Sequence, residues 1–192
     1  MIYSRIIKRI IDICLSLIGV IIAAIPMGII AIAIKMESRG PVIFKQERIG
    51  YKGEIYTMYK FRSMCVGAER DGVYSEHKDP RVTKVGKFIR ATSIDELPQL
   101  VNVLKGDMSL IGFRSPLTYH TWIWSEYTDE QKKMFNVRPG ITGWAQIHGR
   151  KTVEWKKRIE LNIWYAEHVS FLLDLKILFM TVFKVLTNGD NE

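Results

Sequence analysis

The residues from Ile13 to Ile34 constrain this chain more than any others, because they form 22 consecutive positions without a charged side chain. As a straight helix with a rise of about 1.5 Å per residue, the run would reach about 33 Å, enough to cross the roughly 30 Å core of a bilayer. It is followed by Lys35 and not by a small-residue cleavage motif, which argues against a secretory signal peptide. The run therefore predicts a helix that meets a membrane.

Charges and a proline bear on how this helix enters the membrane. Basic residues stand on both sides of the run: Arg5, Lys8 and Arg9 before it, and Lys35, Arg39 and Lys45 after it. The positive-inside rule draws both flanks to the cytoplasmic side. Pro26 lies just past the middle and removes a helix hydrogen bond. Together these features favour a re-entrant helix that bends and returns; a single span with a proline kink and a buried core helix remain the alternatives.

The remainder of the chain is strongly basic. The 192 residues carry 28 lysines and arginines against 20 acids, a net charge of +8, and the 47% hydrophobic content excludes a disordered chain. All of the charge lies outside the apolar run, which indicates a body that works beside something negative. Cys14 and Cys65 belong to no CxxC pattern, so neither a disulfide framework nor a zinc site is predicted.

Patterning in the body predicts an α+β fold that is mostly helical. Two β-rich segments, 42–50 and 54–64, flank Tyr51-Lys52-Gly53 and read as a hairpin. Helical spacing recurs in four segments: 85–90, 97–106, 154–166 and 171–186. Residues 67–80 and 134–150 have loop composition, the second as an ordered glycine-containing loop. The apolar stretches 122–124 and 171–186 belong either to the core or to a membrane interface. Residues 1–38 are thus expected to anchor a second unit of residues 39–192, the folded body.

Two adjacent acids, Asp95 and Glu96, lie at the predicted start of a helix and have two interpretations. In the first, Ser93 and Glu96 form a capping box, or Asp95 is itself the cap, which places Pro98 in the tolerated first turn. In the second, the ionised carboxylates attack phosphorus or bind Mg²⁺. The second interpretation requires a phosphorylated substrate.

Basic residues spread along the chain supply evidence for such a substrate. Lys60 and Arg62 are expected on one strand face, Arg114 follows Gly112, and Arg138 and Arg150 bracket the glycine-containing loop. Arginine forks bind phosphate oxygens through two parallel hydrogen bonds, and glycines let backbone N–H groups approach an anion. Combined with the acid pair and the membrane helix, they indicate a phosphate-rich site at a bilayer surface.

Several long motifs make the chain recognisable. They are Lys8-Arg9-x-x-Asp12, VIFKQERIG, YKFRSM, DPRVTKVGKFIRATSIDELPQL, NVLKGDMSLIG, VRPGITGWAQIHGR and SFLLDLKIL. In this order, over about residues 5–186, the chain resembles the bacterial sugar transferase family, and within it the small monotopic phosphoglycosyl transferases.

The resemblance implies an enzyme on the inner (cytoplasmic) membrane, with a re-entrant helix, interfacial amphipathic helices around a compact catalytic body, and an active site facing the cytoplasm. Such enzymes transfer a phosphosugar from a UDP-sugar to polyprenyl (undecaprenyl) phosphate and release UMP, the first membrane step of glycoconjugate biosynthesis. The implied partners are these two substrates and membrane lipid, with downstream glycosyltransferases as further candidates and no nucleic acid.

The resemblance also assigns residues. The family dyad falls on Asp95 and Glu96, with Asp95 as the nucleophile that forms an aspartyl phosphosugar and both acids as ligands of Mg²⁺. The implied substrate-binding residues are Lys60, Arg62, Arg90, Arg114, Arg138 and Arg150.

Two departures from the family pattern, and two other functions, qualify this assignment. The usual GPRP segment reads Gly112-Phe113-Arg114-Ser115-Pro116, which predicts a looser loop around Arg114, and the serine usual before the helix proline is Ile25. One alternative is a membrane glycosyltransferase acting later, which would release a nucleoside diphosphate and not UMP. The other is a basic membrane-surface scaffold that binds anionic lipid without turnover.

Overall fold

The computed structural model describes residues 3–68, 72, 79–149 and 154–187 of the chain. The α-helices in these ranges are α1 (Lys8–Glu37), α2 (Lys84–Ala91), α3 (Gln99–Lys105), α4 (Asp129–Lys132), α5 (Trp144–Ile147), α6 (Trp155–Glu167) and α7 (Phe171–Leu186). The strands are β1 (Ile43–Ile49), β2 (Ile55–Phe61), β3 (Ser109–Ile111) and β4 (Gly140–Thr142). The mostly helical α+β class predicted from the patterning is confirmed.

The hairpin of β1 and β2 forms as the sequence predicts. The two strands pair antiparallel, from Ile43 opposite Phe61 to Ile49 opposite Ile55. A short 3₁₀ turn, Tyr51–Gly53, joins them, and Gly53 adopts a positive φ of 87° that suits glycine. Met58 of β2 packs with Val103 of α3, and β2 also contacts the turn of Ile94–Glu96, so the hairpin supports the acid pair described below.

The segment 134–150 contains more regular structure than its glycine content indicates. Residues 140–142 form β4, which pairs in parallel with β3, and α5 follows directly. The prediction of an ordered loop therefore missed a strand and one helical turn. Gly112 and Gly140 pack so closely that a Cβ on Gly112 would lie 2.1 Å from the Arg138 carbonyl oxygen, so this crossing tolerates no side chain.

The apolar run forms a single helix, α1, that continues through Pro26. It is long and apolar enough to cross a membrane, and only 11% of its most hydrophobic window is buried by the protein. Its outward face exposes large side chains, with Ile22 73% and Ile25 77% exposed. The inward face of its second half packs against Phe61 of β2 and Ile89 of α2. Helix α1 is therefore not a buried core helix; one side is covered and the other remains apolar and open.

The start of α1 is tied to the body by a buried polar cluster. Asp174 of α7 accepts hydrogen bonds from Tyr3 (2.6 Å), Lys8 (2.7 Å) and Tyr165 (2.7 Å), and these four residues are called the Asp174 cluster below. Nearby, Asp12 accepts the backbone N–H of Leu110 at 3.0 Å. The cluster attaches the first turns of α1 to α6 and α7, which lie more than 150 residues away in sequence.

The end of α1 is held by different contacts. The Arg62 guanidinium donates to the carbonyl oxygens of Ser38 (2.9 Å) and Arg39 (2.6 Å), which follow the helix. The Glu37 carboxylate accepts the backbone N–H groups of Lys84 (2.6 Å) and Val85 (3.0 Å) at the start of α2. Both ends of α1 thus contact the same folded body.

The two apolar stretches left open by the sequence differ in the structure. Trp122 and Trp124 pack against a buried cluster that includes Tyr127 and Phe135, so this stretch belongs to the core. Helix α7 buries Ile177 completely but leaves Leu172 74% and Phe179 69% exposed. It is amphipathic, and its apolar outer face is available to a membrane interface.

Candidate active site

The acid pair lies in a tight turn between α2 and α3. Ser93 adopts a left-handed conformation with φ of 58°, and a 3₁₀ turn of Ile94–Glu96 follows it. Helix α3 begins only after Pro98, which precedes its first residue. The Ser93 side chain forms no cap hydrogen bond, and Asp95 lies ahead of the helix and not at its cap. Both capping interpretations are therefore wrong, because the αL residue turns the chain before a helix can begin.

The Asp95 carboxyl is buried yet accepts no hydrogen bond from any described residue. The residue is only 9% exposed. Burial raises its pKa above the ordinary aspartate value, the neighbouring Glu96 raises it further, and the charges of Lys60, Arg90 and Arg114 oppose these effects. Loss of solvation is the largest of these influences. Once ionised, this carboxylate has unshared oxygen lone pairs available for a reacting group or a cation.

Glu96 is held by two of the predicted basic residues. Lys60, on β2, donates from Nζ to Glu96 Oε1 at 2.8 Å, and Arg114 places Nη1 3.5 Å from the same oxygen. The Lys60–Glu96 pair is largely shielded, with side-chain exposures of 16% and 19%, whereas the Arg114 side chain is 44% exposed. Glu96 therefore orients two cations beside the Asp95 carboxyl.

The structure brings some of the predicted site residues together and separates others. Lys60 and Arg114 bond Glu96, and Arg90, at the end of α2, is close enough to lower the pKa of Asp95. Among the described residues, the charges that act on the Asp95 carboxylate are thus three cations and one other carboxylate, that of Glu96. A remaining positive charge favours an anionic substrate.

Arg62 and Arg138 lie outside this group. Arg62 donates to carbonyl oxygens at the end of α1, because β2 ends at Phe61 and the shared-face pattern of the strand does not extend to it. Arg138 donates from Nε to the carbonyl of Gly106 at 3.0 Å and covers the ring of Tyr51. Each stabilises the end of a helix, so their expected role in phosphate binding has no support from their placement. Arg150 lies outside the described residues.

Sequence reasoning missed Arg48, which lies on β1 opposite Tyr56. Its guanidinium donates to Gln46 and, at 2.9 Å, to the carbonyl of Ser115, next to Arg114. Burial and the charge of Arg114 lower the pKa of Arg48 to about 10. The available signal was an alternating pattern, since Gln46 and Arg48 share the inward hairpin face with Lys60, but no motif marked it.

The segment around Arg114 is held on both sides of this residue. Phe113 is fully buried, with its ring 5.0 Å from that of Phe135. The Ser115 hydroxyl donates to the carbonyl of Ile49 at 2.8 Å. Packing and a buried hydrogen bond thus hold this segment, and the looser loop expected from the changed prolines stays a prediction.

The donor set fits a magnesium ion shared with a substrate and not one caged by protein alone. Among the described residues, no group of three or more His, Cys, Asp or Glu side chains is arranged to hold a metal. Mg²⁺ is commonly bound by one or two carboxylates, with waters and substrate phosphates completing its shell. Asp95, whose carboxylate accepts no hydrogen bond from the described residues, and Glu96 match that pattern.

Comparisons with known protein sequences identify the family of this chain. A sequence model of the family described as "Bacterial sugar transferase" matches residues 3–188. The chain is 44% identical to the uncharacterized sugar transferase EpsL of Bacillus subtilis, over 95% of this chain and 89% of that protein. It is 43% identical to the UDP-glucose:undecaprenyl-phosphate glucose-1-phosphate transferase of Escherichia coli, over 96% of this chain and 41% of that protein.

A third relative is the UDP-N-acetylgalactosamine-undecaprenyl-phosphate N-acetylgalactosaminephosphotransferase of Aeromonas hydrophila, 42% identical over 94% of this chain and 44% of its own length. The chain therefore spans nearly all of one relative and less than half of the other two. Because the family model matches residues 3–188 and one relative is 44% identical over 95% of this chain, the chain belongs to the bacterial sugar transferase family.

Proposed function

We propose that the protein transfers a phosphosugar from a UDP-sugar to undecaprenyl phosphate and releases UMP. The observation that carries the proposal is the Asp95 carboxyl, which is buried, accepts no hydrogen bond from the described residues and lies beside cations held by Glu96. The names of the relatives from Escherichia coli and Aeromonas hydrophila, a glucose-1-phosphate and an N-acetylgalactosamine phosphotransferase acting on undecaprenyl phosphate, support this class of donor and acceptor. They do not select one sugar.

In the first step, an Asp95 oxygen attacks the β-phosphorus of the UDP-sugar. A new P–O bond forms to Asp95, and the bond between the β-phosphorus and the bridging oxygen breaks, so that UMP leaves with that oxygen and the electron pair. Removal from water makes the carboxylate more reactive, while Lys60 and Arg114 face the charge that develops on the phosphate oxygens.

In the second step, a phosphate oxygen of undecaprenyl phosphate attacks the same phosphorus. The P–O bond to Asp95 breaks, its carboxylate is restored, and the sugar is now carried by a lipid diphosphate. Two successive displacements pass through one covalent intermediate, so each step needs only one in-line approach. Glu96 holds Lys60 and Arg114 in place through both displacements.

Magnesium is part of the proposal. Asp95 and Glu96 would hold it together with the diphosphate, where it supplies charge neutralisation for the departing nucleotide.

We further propose that α1 is re-entrant and that the body faces the cytoplasm. Contacts at both ends of the helix support this topology. Arg9 donates to the carbonyls of Val103 (2.6 Å) and Leu104 (3.0 Å), while Glu37 accepts from the start of α2 at the other end. If residues 13–34 spanned the bilayer, one compact polar body would have to reach both of its surfaces, about 30 Å apart. Because α1 is one continuous helix, we propose that it returns by a bend at Pro26 within that helix, which keeps all of these contacts on one side.

UMP release tests the proposed activity. Purified protein in detergent or nanodiscs is incubated with undecaprenyl phosphate, Mg²⁺ and each member of a panel of UDP-sugars. UMP formed with at least one sugar, and lost when EDTA removes the metal, is the expected result. Release of UDP would support a later glycosyltransferase, and binding to anionic vesicles without turnover would support a scaffold.

Cysteine labelling tests the topology. With Cys14 and Cys65 replaced by alanine, Ser4→Cys places a thiol at an exposed position before α1, and a matched variant that retains only Cys65 reports on the body. Both thiols are expected to react with a membrane-impermeant maleimide only after the cells are permeabilised. Reaction of the Ser4→Cys thiol in intact cells would contradict the re-entrant topology.

A further inference from the structure

Arg114 lies on a segment that is fixed on both sides. Phe113 is 0% exposed and packs edge-on against Phe135. Ser115 is 6% exposed, and its hydroxyl donates to the carbonyl of Ile49 at 2.8 Å. The Arg114 side chain between them is 44% exposed. The backbone is therefore held while the long side chain retains rotamer freedom, so something else must select its direction.

Arg48 adds a second attachment to the same segment. Its Nη1 donates to the carbonyl of Ser115 at 2.9 Å, and its Nε and Nη2 donate to Gln46 Oε1 at 3.1 and 2.6 Å. Beside this contact, the backbone N–H of Ile49 donates to the carbonyl of Pro116 at 3.1 Å. Three hydrogen bonds thus join the end of β1 to the chain immediately after Arg114. Arg48 and Ile49 of β1 donate two of them, and the Ser115 hydroxyl donates the third to Ile49.

The Arg48 charge also acts on Arg114 directly. Arg48 forms no ion pair with a carboxylate among the described residues, and its three hydrogen bonds all go to neutral acceptors. The charge of Arg114 is the strongest of the interactions that oppose its protonation after burial. Two guanidinium groups repel each other, and Arg48 is fixed. Rotamers of Arg114 that approach Arg48 are therefore disfavoured.

We infer that Arg48 and Ser115 are positioning residues that direct the Arg114 guanidinium at Glu96 and at the anionic group bound beside it. The inference rests on the proposed function for the identity of that group, a nucleoside diphosphate. Neither residue touches the substrate. Ser115 fixes the backbone that carries Arg114, and Arg48 fixes the same backbone and disfavours rotamers of Arg114 that approach it.

A double-mutant cycle with Arg114 tests this directly. Ser115→Ala and Arg48→Gln are each made in the wild-type chain and in an Arg114→Ala chain, and kcat and KM are measured by UMP release. In the wild-type background we expect each to lower kcat/KM about tenfold, because small misplacement of a charge-stabilising group is costly. In the Arg114→Ala background the same changes should alter kcat/KM less than twofold, since the positioned group is gone.

Ser109→Ala is the matched control, because Ser109 is 1% exposed and its hydroxyl also donates to a backbone carbonyl, that of Ile111, at 2.9 Å. It should lower the melting temperature as Ser115→Ala does while leaving kcat/KM within twofold of wild type. Ser115→Thr, which keeps the hydroxyl, should retain activity. Equal losses from Ser115→Ala in both Arg114 backgrounds, or no loss in either, would overturn the inference.

UDP binding measured by calorimetry separates this inference from the proposed function. If the wild-type chain releases no UMP with any sugar, the proposed function is wrong. The double-mutant cycle can then still be measured, with the affinity of each chain for UDP in place of kcat/KM. Positioning predicts that Ser115→Ala weakens UDP binding about tenfold only when Arg114 is present. Unchanged affinity in the Ser115→Ala and Arg48→Gln chains, with Arg114→Ala weaker than wild type, would show that neither residue positions Arg114.

Discussion

The Asp174 cluster and the Asp95–Glu96 pair both bury carboxylates beside basic side chains, but they differ in how those carboxylates are bonded. Asp174, 5% exposed, accepts three side-chain hydrogen bonds of 2.6–2.7 Å from Tyr3, Lys8 and Tyr165. Asp95, 9% exposed, accepts none from the described residues. A buried carboxylate with its donors in place holds α1, α6 and α7 together, whereas one without them has lone pairs available to a substrate.

The pKa values of the groups at the two sites are shifted in keeping with this difference. Burial, and then the Asp174 carboxylate, raise the pKa of both Tyr3 and Tyr165, so these hydroxyls remain protonated donors throughout the physiological range. At the other site burial raises the pKa of the acid itself, Asp95. The first arrangement is stabilised by its charges, and the second carries a charge whose burial costs stability. We interpret that cost as the consequence of a reactive group.

The largest expected effect is on activity. Asp95→Asn removes the attacking charge and keeps the shape, so UMP release should fall by about 1,000-fold or more. Because the folded-state pKa of Asp95 is raised, its ionisation weakens folding as pH rises through that pKa, and asparagine resembles the protonated form. The melting temperature at pH 7 should therefore stay the same or increase. A variant that kept wild-type turnover would remove Asp95 from the mechanism.

The opposite result is expected at the other carboxylate. In the native pair the side chains of Lys8 and Asp174 are only 12% and 7% exposed. Asp174→Asn therefore leaves the Lys8 ammonium buried without its counter-charge. Breaking such a pair costs about 3–5 kcal/mol, which chemical denaturation in detergent can measure. Turnover per folded molecule should remain near wild type. If the variant were as stable as wild type but inactive, the division between anchoring and reacting carboxylates would be wrong.

A third prediction concerns pH. Lys60 is the strongest of the charges that lower the pKa of Asp95, so Lys60→Met should raise this pKa further. Since Asp95 must be ionised to attack, the acid limb of the kcat/KM profile should move to higher pH. Lys105→Met is the control, because Lys105 pairs with Asp107 and is 49% exposed. An acid limb at the same pH in the Lys60→Met and Lys105→Met variants would show that Asp95 does not set this limb.

The smallest effect is expected from the backbone before the acid pair. Ser93 has a φ of 58°, a conformation that costs a residue other than glycine about 1 kcal/mol. Ser93→Gly relieves this cost but adds freedom to the unfolded chain, so the free energy of unfolding should change by less than about 1 kcal/mol. Ser93→Val, which is β-branched, should lose about 1–3 kcal/mol. Equal stabilities for the two variants would indicate that the turn relaxes out of the left-handed region.

The sequence predicted those features that are determined by neighbouring residues in the chain. The hairpin follows from alternation around a glycine turn, and α3 ends at Gly106, which adopts a φ of 99° as a helix terminator. The acid pair and its partners Lys60 and Arg114 were found through residue chemistry and resemblance. The capping prediction failed because spacing alone does not reveal that Ser93 adopts a left-handed conformation, and not the extended one typical of a helix cap, and that its side chain makes no cap hydrogen bond.

Contacts between distant parts of the chain could not be predicted in the same way. Tyr3 and Asp174 are 171 positions apart, and no pattern within either segment names the other. The available signal was the single acid, Asp174, in a mostly apolar helix, since a buried carboxylate requires a hydrogen-bonding or charged partner. Arg62 and Arg138 were predicted from their chemistry, because a guanidinium group suits phosphate. In the fold, however, both guanidinium groups donate to carbonyl oxygens at the ends of helices.

Intact-protein mass spectrometry tests most directly whether Asp95 is the reacting carboxylate. The wild type, Asp95→Asn and Asp174→Asn chains are incubated with Mg²⁺ and the UDP-sugar that supports turnover, without lipid acceptor, and measured after rapid quenching. The account predicts a mass increase of one phosphosugar on the wild type and on Asp174→Asn, its removal by undecaprenyl phosphate, and no increase on Asp95→Asn. The same adduct on Asp95→Asn, or its absence from a wild type that turns over, would contradict the account.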